Sequence, residues 1–254
     1  MSHRLEVLFS PAEFAALKAR DLTKSCCVVF DVLRASSSMI TALASGAAAI
    51  VPVETIADAL KIRESEPGVL LAGERHGVRI RSHLTGSIDF DLGNSPREFT
   101  AERVHGKTVV MTTTNGTLAL RACAHAERVL VGSFLNLRRT ADAVLARQPA
   151  EVLLICSGTF EEAAYEDALA AGAFCEWLWS AYGDAAVADS ALMVRKLLAA
   201  AKEDLAGALS ESRNGKRLLA RPELAADVAF CAVRDRFPLL AELDKTGRIR
   251  PSQV

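Results

Sequence analysis

Carboxylates, hydroxyls and glycines recur in this sequence where apolar, β-branched runs stop. Val28-Val29-Phe30 meets Asp31, followed by Val32-Leu33-Arg34-Ala35-Ser36-Ser37-Ser38. Another apolar run leads into Gly73-Glu74-Arg75, and a third into Thr112-Thr113-Thr114-Asn115-Gly116-Thr117. Two more end in Gly132-Ser133-x-x-Asn136 and Cys156-Ser157-Gly158-Thr159. A charge is costly inside a buried strand, so Asp31 belongs at a strand's carboxyl end. In open α/β sheets, ligands bind in the crevice outside those ends. Each segment alone has a structural explanation, since Ser, Thr and Asn cap helices and glycine makes tight turns. Together they describe chemistry. Hydroxyl-and-glycine turns that open a helix aim backbone N–H groups at an anion, while Asp31 and Glu74 bring carboxylates to the same rim. Carboxylates repel an anion unless a cation lies between, and hard oxygen ligands beside a phosphate suit Mg²⁺. The pattern points to a Mg²⁺-dependent phosphate site, with Asp31 and Glu74 on the metal. Asp167 is a third candidate, whose structural alternative is a helix N-terminal acid favoured by the dipole.

The elements that must position these residues follow from periodicity. Strands are expected over 4–9, 26–31, 49–53, 69–72, 107–111, 128–131 and 151–155. Helices are expected over 36–45, 55–66, 136–147, 163–181 and 189–209, with a shorter one after Arg221-Pro222. Ser10-Pro11-Ala12-Glu13 and Ser95-Pro96-Arg97-Glu98 read as capping boxes with proline at the first helical position. Residues 77–94 lack helical periodicity, and long irregular segments are often functional. Arg236-Phe237-Pro238 ends the last helix and leaves a polar tail. Alternating strands and helices argue a mostly parallel sheet covered on both faces. The expectation is one α/β domain over 1–254, helix-rich from about 189.

Composition sets the outer limits. The chain has 254 residues, 50% hydrophobic, which is ample for a large core. Thirty basic against 31 acidic residues leave no basic excess for nucleic acid, and no basic run marks a membrane surface. No apolar run approaches a bilayer span and no signal-peptide core is present, so a cytoplasmic protein is expected. The six cysteines show no C-x-x-C or zinc spacing, which fits a reducing compartment. A homo-oligomer stays open. G-x-x-x-x-G-K-[ST] and G-x-G-x-x-G are both missing. Val32 and Leu33 after Asp31 also rule out the D-x-D of haloacid-dehalogenase-like phosphatases.

Asp31-Val32-Leu33-Arg34-Ala35-Ser36, Gly73-Glu74-Arg75, Asp91-Leu92-Gly93-Asn94-Ser95-Pro96, the Thr112 to Thr117 run, Cys156-Ser157-Gly158-Thr159 and Glu166-Asp167 occur in one order. In this the chain resembles the 2-phosphosulfolactate phosphatase family, Mg²⁺-dependent acid phosphatases of the coenzyme M pathway. The resemblance implies a three-layer α/β/α core and hydrolysis of a small phosphorylated, sulfonated acid to sulfolactate and phosphate. Arg34 could grip a phosphoryl oxygen pair, and Asn94, residues 112–117, Ser157 and Gly158 could contact the substrate. Three nucleophiles are open: Asp31, giving an acyl phosphate; Cys156, giving a thiophosphate; or metal-bound water. Arg75, beside Glu74, is the expected clamp for the substrate's sulfonate or carboxylate. The rivals are a non-catalytic sensor of small phosphorylated acids and a phosphosugar isomerase.

Overall fold

The computed structural model describes residues 4–182 and 187–253. Its centre is a ten-stranded sheet. In chain order the strands are β1 (Arg4–Leu8), β2 (Ser25–Phe30), β3 (Ala49–Pro52), β4 (Leu70–Arg75), β5 (Val78–Arg79), β6 (Thr108–Thr112), β7 (Arg128–Gly132), β8 (Glu151–Cys156), β9 (Leu240–Leu243) and β10 (Ile249–Ser252). In space they lie in the order β1-β8-β2-β7-β9-β10-β3-β6-β4-β5.

Strand β2 shows why the core has three layers. All six of its residues are buried, and alternation sends successive side chains to opposite faces. Cys26, Val28 and Phe30 pack on one face with Leu169, Phe174 and Val194 of helices Tyr165–Tyr182 and Asp189–Ala201. Cys27 and Val29 pack on the other with Met39 and Ile40 of helix Ala35–Ala44 and Leu120 of helix Gly116–Ala122. The mostly parallel sheet with helices on both faces is therefore as the sequence predicts.

The polar tail is not. Residues 240–252 form the antiparallel pair β9 and β10, inserted in the middle of the sheet. Strand β9 pairs with β7 through Val131 and Ala241, and β10 meets β3 through Ile249 and Ile50. This hairpin joins two parallel blocks, β1-β8-β2-β7 and β3-β6-β4, which run in opposite senses. The five steps from β2 to β6, at roughly 20–25° of twist each, turn strand direction by about 100–125°. That rotation lets carboxyl ends from both blocks converge on one cleft.

Three local differences bear on the site. Strand β4 continues through Gly73-Glu74-Arg75 instead of stopping at Ala72. Ser95 caps no helix: its hydroxyl donates to Asp227 Oδ1 at 2.7 Å, and only the 3₁₀ turn Pro96–Glu98 follows. The helix expected over 189–209 breaks after Ala201 and restarts as Leu205–Glu211, where the Asp204 carboxylate accepts the Gly207 N–H at 2.8 Å. Among the described residues no helix is long and apolar enough to cross a membrane.

Candidate active site

A cleft of about 650 Å³, open at its mouth, collects Asp31, Arg34, Glu74, Asn94, Thr113, Thr114, Asn115 and Gly158 from both blocks. Asp31 follows β2 directly. Its Oδ1 accepts the Ala35 N–H at 2.9 Å, and the Ser36 hydroxyl donates to the Asp31 carbonyl at 2.8 Å. No donor among the described residues reaches Oδ2. Gly116 lets that oxygen come close: a Cβ there would sit 2.5 Å from Asp31 Oδ2. The neighbouring serines tie backbone rather than phosphate, with Ser37 donating to the Val32 carbonyl and Ser38 to the Asn94 carbonyl, both at 2.8 Å.

Burial lifts the Asp31 carboxyl from its ordinary value to about 7; the Glu74 and Glu166 charges add to the rise, while the Ala35 N–H and Arg34 oppose it. Burial also raises Glu166, and raises Asp167 well above the usual carboxylate range, with Glu166 and Asp31 contributing to the latter. The carboxylates next to the cleft thus repel one another in a poorly solvated place, as a site built for a cation would.

Arg34 is buried and lines the cleft. Its Nη1 donates to Asp227 Oδ2 and its Nη2 to the Gly77 carbonyl, both at 2.8 Å. Asp227, 0% exposed, also accepts from Ser95 and from Arg97 Nε at 2.8 Å. Two of Arg34's five N–H donors are thereby fixed, and the others are left for a ligand.

Glu74 reaches the cleft as a brace. Its Oε1 accepts the Thr114 N–H at 3.0 Å and the Thr114 hydroxyl at 2.8 Å, and its Oε2 accepts the Gly77 N–H at 2.6 Å. The Thr114 N–H that the sequence would aim at an anion is therefore taken by a carboxylate. Asn115 reaches across the cleft floor, with Nδ2 donating to the Ser157 and Phe160 carbonyls at 3.0 and 2.8 Å. Gly158 needs its left-handed backbone (φ 72°), and a Cβ there would meet the Glu162 carbonyl oxygen at 2.4 Å.

Several expected site residues do not reach the cleft. Arg75 follows Glu74 on the extended β4, so its side chain leaves by the opposite side. It donates to the Glu74 carbonyl at 2.7 Å and to Thr112 Oγ1 at 3.1 Å, and is no substrate clamp in this arrangement. Thr112 is buried, with its hydroxyl on the Glu54 carbonyl at 3.0 Å. Thr117 and Ser157 are also buried away from the cleft wall, and Ser157 Oγ has no hydrogen-bond partner among the described residues. Asp167 is a brace like Glu74, with Oδ1 accepting the Val32 N–H at 2.8 Å and Oδ2 the Gly158 N–H at 3.2 Å. Cys156 is 0% exposed in the core beside Phe174. Burial pushes its thiol well above its ordinary pKa, and Asp167 adds to this. A nucleophilic thiolate needs the reverse, so the Cys156 alternative fails on position and on charge.

Other cleft residues come from segments that the sequence reading left without chemistry. Asn214, Arg217 and Leu218 of helix Arg213–Leu219, together with Arg221, line it alongside His76 and Phe160. The available signals were Asp227 on the buried face of helix Pro222–Cys231, and the basic residues Lys216, Arg217 and Arg221 just before it.

Among the described residues no three of His, Cys, Asp and Glu form a ready-made metal cage. The cleft does offer hard oxygens that meet no donor among the described residues: Asp31 Oδ2 and the buried Asn94 Oδ1. Mg²⁺ usually keeps several waters and takes one or two carboxylates plus substrate phosphate. The donor set fits an ion bound in that way and does not fit a cage made by protein alone.

Comparison with known proteins identifies the family. The family model described as 2-phosphosulpholactate phosphatase matches residues 13–246. A protein of Deinococcus radiodurans is 40% identical over 206 residues, covering 81% of this chain and 82% of its own. One from Caldicellulosiruptor saccharolyticus is 37% identical over 218 residues, covering 84% and 87%. One from Caldanaerobacter subterraneus is 34% identical over 244 residues, covering 94% and 96%. All three are named probable 2-phosphosulfolactate phosphatase. The chain belongs to the 2-phosphosulpholactate phosphatase family, a family of phosphoric monoester hydrolases.

Proposed function

We propose that this chain is a Mg²⁺-dependent phosphatase that hydrolyses 2-phosphosulfolactate, or a close small phosphorylated sulfonated acid, to sulfolactate and inorganic phosphate. The relatives' name supplies the substrate class. The observation that carries the reading is the Asp31 carboxylate, with Oδ2 bare in the cleft and its pKa lifted to about 7 beside the Arg34 guanidinium.

Asp31 and Asn94 would hold Mg²⁺, and the bound ion would neutralise phosphoryl oxygens and orient the ester. Phosphoryl transfer asks for positioning and electrostatic stabilisation. Arg34, fixed by Asp227 and the Gly77 carbonyl, keeps further N–H groups for phosphoryl oxygens. Its donors are in place before the substrate arrives, so little reorganisation is needed as charge shifts in the transition state. Asp31 would face the reacting phosphorus, or the water that attacks it, with its carboxylate held in place by the Ala35 N–H. Leu33, Phe160 and Leu218 supply the apolar part of the cleft lining. The proposal includes the sulfonate route of coenzyme M and a cytoplasmic location, which suits six cysteines that are all free and buried.

The test is phosphate release from synthetic 2-phosphosulfolactate after EDTA treatment, with Mg²⁺ then restored. Release that stops with EDTA and returns with Mg²⁺ is expected. No release, or release indifferent to EDTA, would overturn the reading.

A further inference from the structure

One part of the cleft wall carries positive charge that no carboxylate among the described residues answers. Arg34 and Arg97 share Asp227, and Arg213 pairs with Glu162. Arg217 and Arg221 line the same cleft, and neither forms an ion pair among the described residues. The Arg217 guanidinium lies 5.5 Å from the centre of the Phe160 ring, and Arg221 Nη1 donates to the His76 carbonyl at 3.1 Å. Most of both forks is therefore unspent.

The segment bearing them is pinned to the reaction site. Ser212 Oγ accepts the Gly215 N–H at 2.9 Å, capping helix Arg213–Leu219. Asn214 Nδ2 donates to Thr159 Oγ1 and to Glu166 Oε1, both at 2.6 Å, next to the turn that follows β8. Arg213 adds its pair with Glu162 on that turn. Arginines held on a fixed support lose less freedom when they bind an anion.

We propose that Arg217 and Arg221 are the receptor for the non-reacting acid end of the substrate, its carboxylate and sulfonate, and that they set a preference for phosphate esters carrying such groups. This rests on the phosphatase reading above. Guanidinium forks match planar carboxylate oxygens and the oxygen face of a sulfonate. Arg34 already serves the phosphate, so the remaining anions of a phosphorylated sulfonated acid fall to the two unpaired arginines. Binding energy from that remote end can be used to orient the reacting centre, so its loss depends on the substrate.

The test uses Arg217→Gln and Arg221→Gln, with circular dichroism to check the fold. Hydrolysis of 2-phosphosulfolactate, 2-phospholactate and an aryl phosphate is measured at fixed Mg²⁺ and ionic strength, and calorimetry gives the affinity for sulfolactate. Losing a charged fork should cost about 10–100-fold in kcat/KM for 2-phosphosulfolactate, at least tenfold more than for the aryl phosphate. Sulfolactate binding should weaken to a similar degree. A loss shared with 2-phospholactate would assign the arginines to the carboxylate, and one confined to the sulfonated ester would assign them to the sulfonate. Equal losses on all three esters, or no change in sulfolactate affinity, would overturn the proposal. Arginine-dependent sulfolactate binding by a protein that releases phosphate from no ester would leave the receptor standing and refute the phosphatase reading instead.

Discussion

Replacing Asp31 with asparagine should stabilise the metal-free protein at alkaline pH while removing its chemistry. The Asp31 carboxyl moves from an ordinary 3.8 to about 7 in the folded chain, chiefly through burial. Between those values the folded protein keeps a proton that the unfolded chain has released. Its contribution to stability is then fully present below about pH 4 and is lost as pH rises through about 7. Roughly three pKa units at 1.36 kcal/mol each set a ceiling of about 4 kcal/mol. Asparagine puts amide N–H donors where a carboxylate oxygen stood, and leaving them poorly paired in this buried place returns about 1–2 kcal/mol of that. The net gain at pH 8 is about 2 kcal/mol, or about 4–8 °C in Tm for a chain of this size. Thermal melts in EDTA from pH 4 to 8 measure it. The variant's advantage should vanish at the acid end and grow through neutrality. An Asp31→Asn protein no more stable than wild type at pH 8 in EDTA would refute the electrostatic account of the cleft.

Gly116→Ala places a methyl group 2.5 Å from Asp31 Oδ2; kcat should fall by more than about 100-fold for a displacement near 1 Å, and unchanged kinetics would show that Asp31 can yield without cost. Cys156→Ser should keep most of its kcat and lose about 1–3 kcal/mol of stability in urea titrations, because a buried hydroxyl replaces a core thiol; a collapse of kcat with the fold intact would restore the thiol as nucleophile. Asp227→Asn leaves the buried Arg34 without its counter-charge and should cost about 3–5 kcal/mol in the same titrations; a loss below about 1 kcal/mol would mean that Arg34 finds another partner. Arg75→Ala should change kcat/KM on 2-phosphosulfolactate by less than about threefold, since Arg75 points away from the cleft; a substrate-specific loss like that expected at Arg217 would contradict its placement.

The sequence made Asp31, Glu74, Thr113, Asn115 and Gly158 legible because each follows an apolar strand, and a polar group at that point stands out over two or three residues. Roles were harder to read than places. Reading Gly73-Glu74-Arg75 as a loop hid the strand alternation that turns Glu74 inward and Arg75 outward. The braces made by Glu74 and Asp167 depend on backbone N–H groups as distant as residues 114 and 32, which no local pattern reports. Asp227 sits in a segment whose helical periodicity already explained it, and Arg217 and Arg221 fall in a stretch to which periodicity assigns no element, so their meeting at the cleft needed the tertiary fold. The β9–β10 hairpin was lost for a related reason. Its strands are four residues long and carry Glu242 and Arg250, and they are held by partners such as Val131, more than a hundred residues earlier.

The most direct measurement is phosphate release from 2-phosphosulfolactate by Asp31→Asn beside wild type, at saturating Mg²⁺ and with matched circular dichroism. The account predicts a fall of at least about 1,000-fold in kcat, on the scale of removing a group that acts at the reacting centre. Activity within a few-fold of wild type would contradict it and move the chemistry away from Asp31.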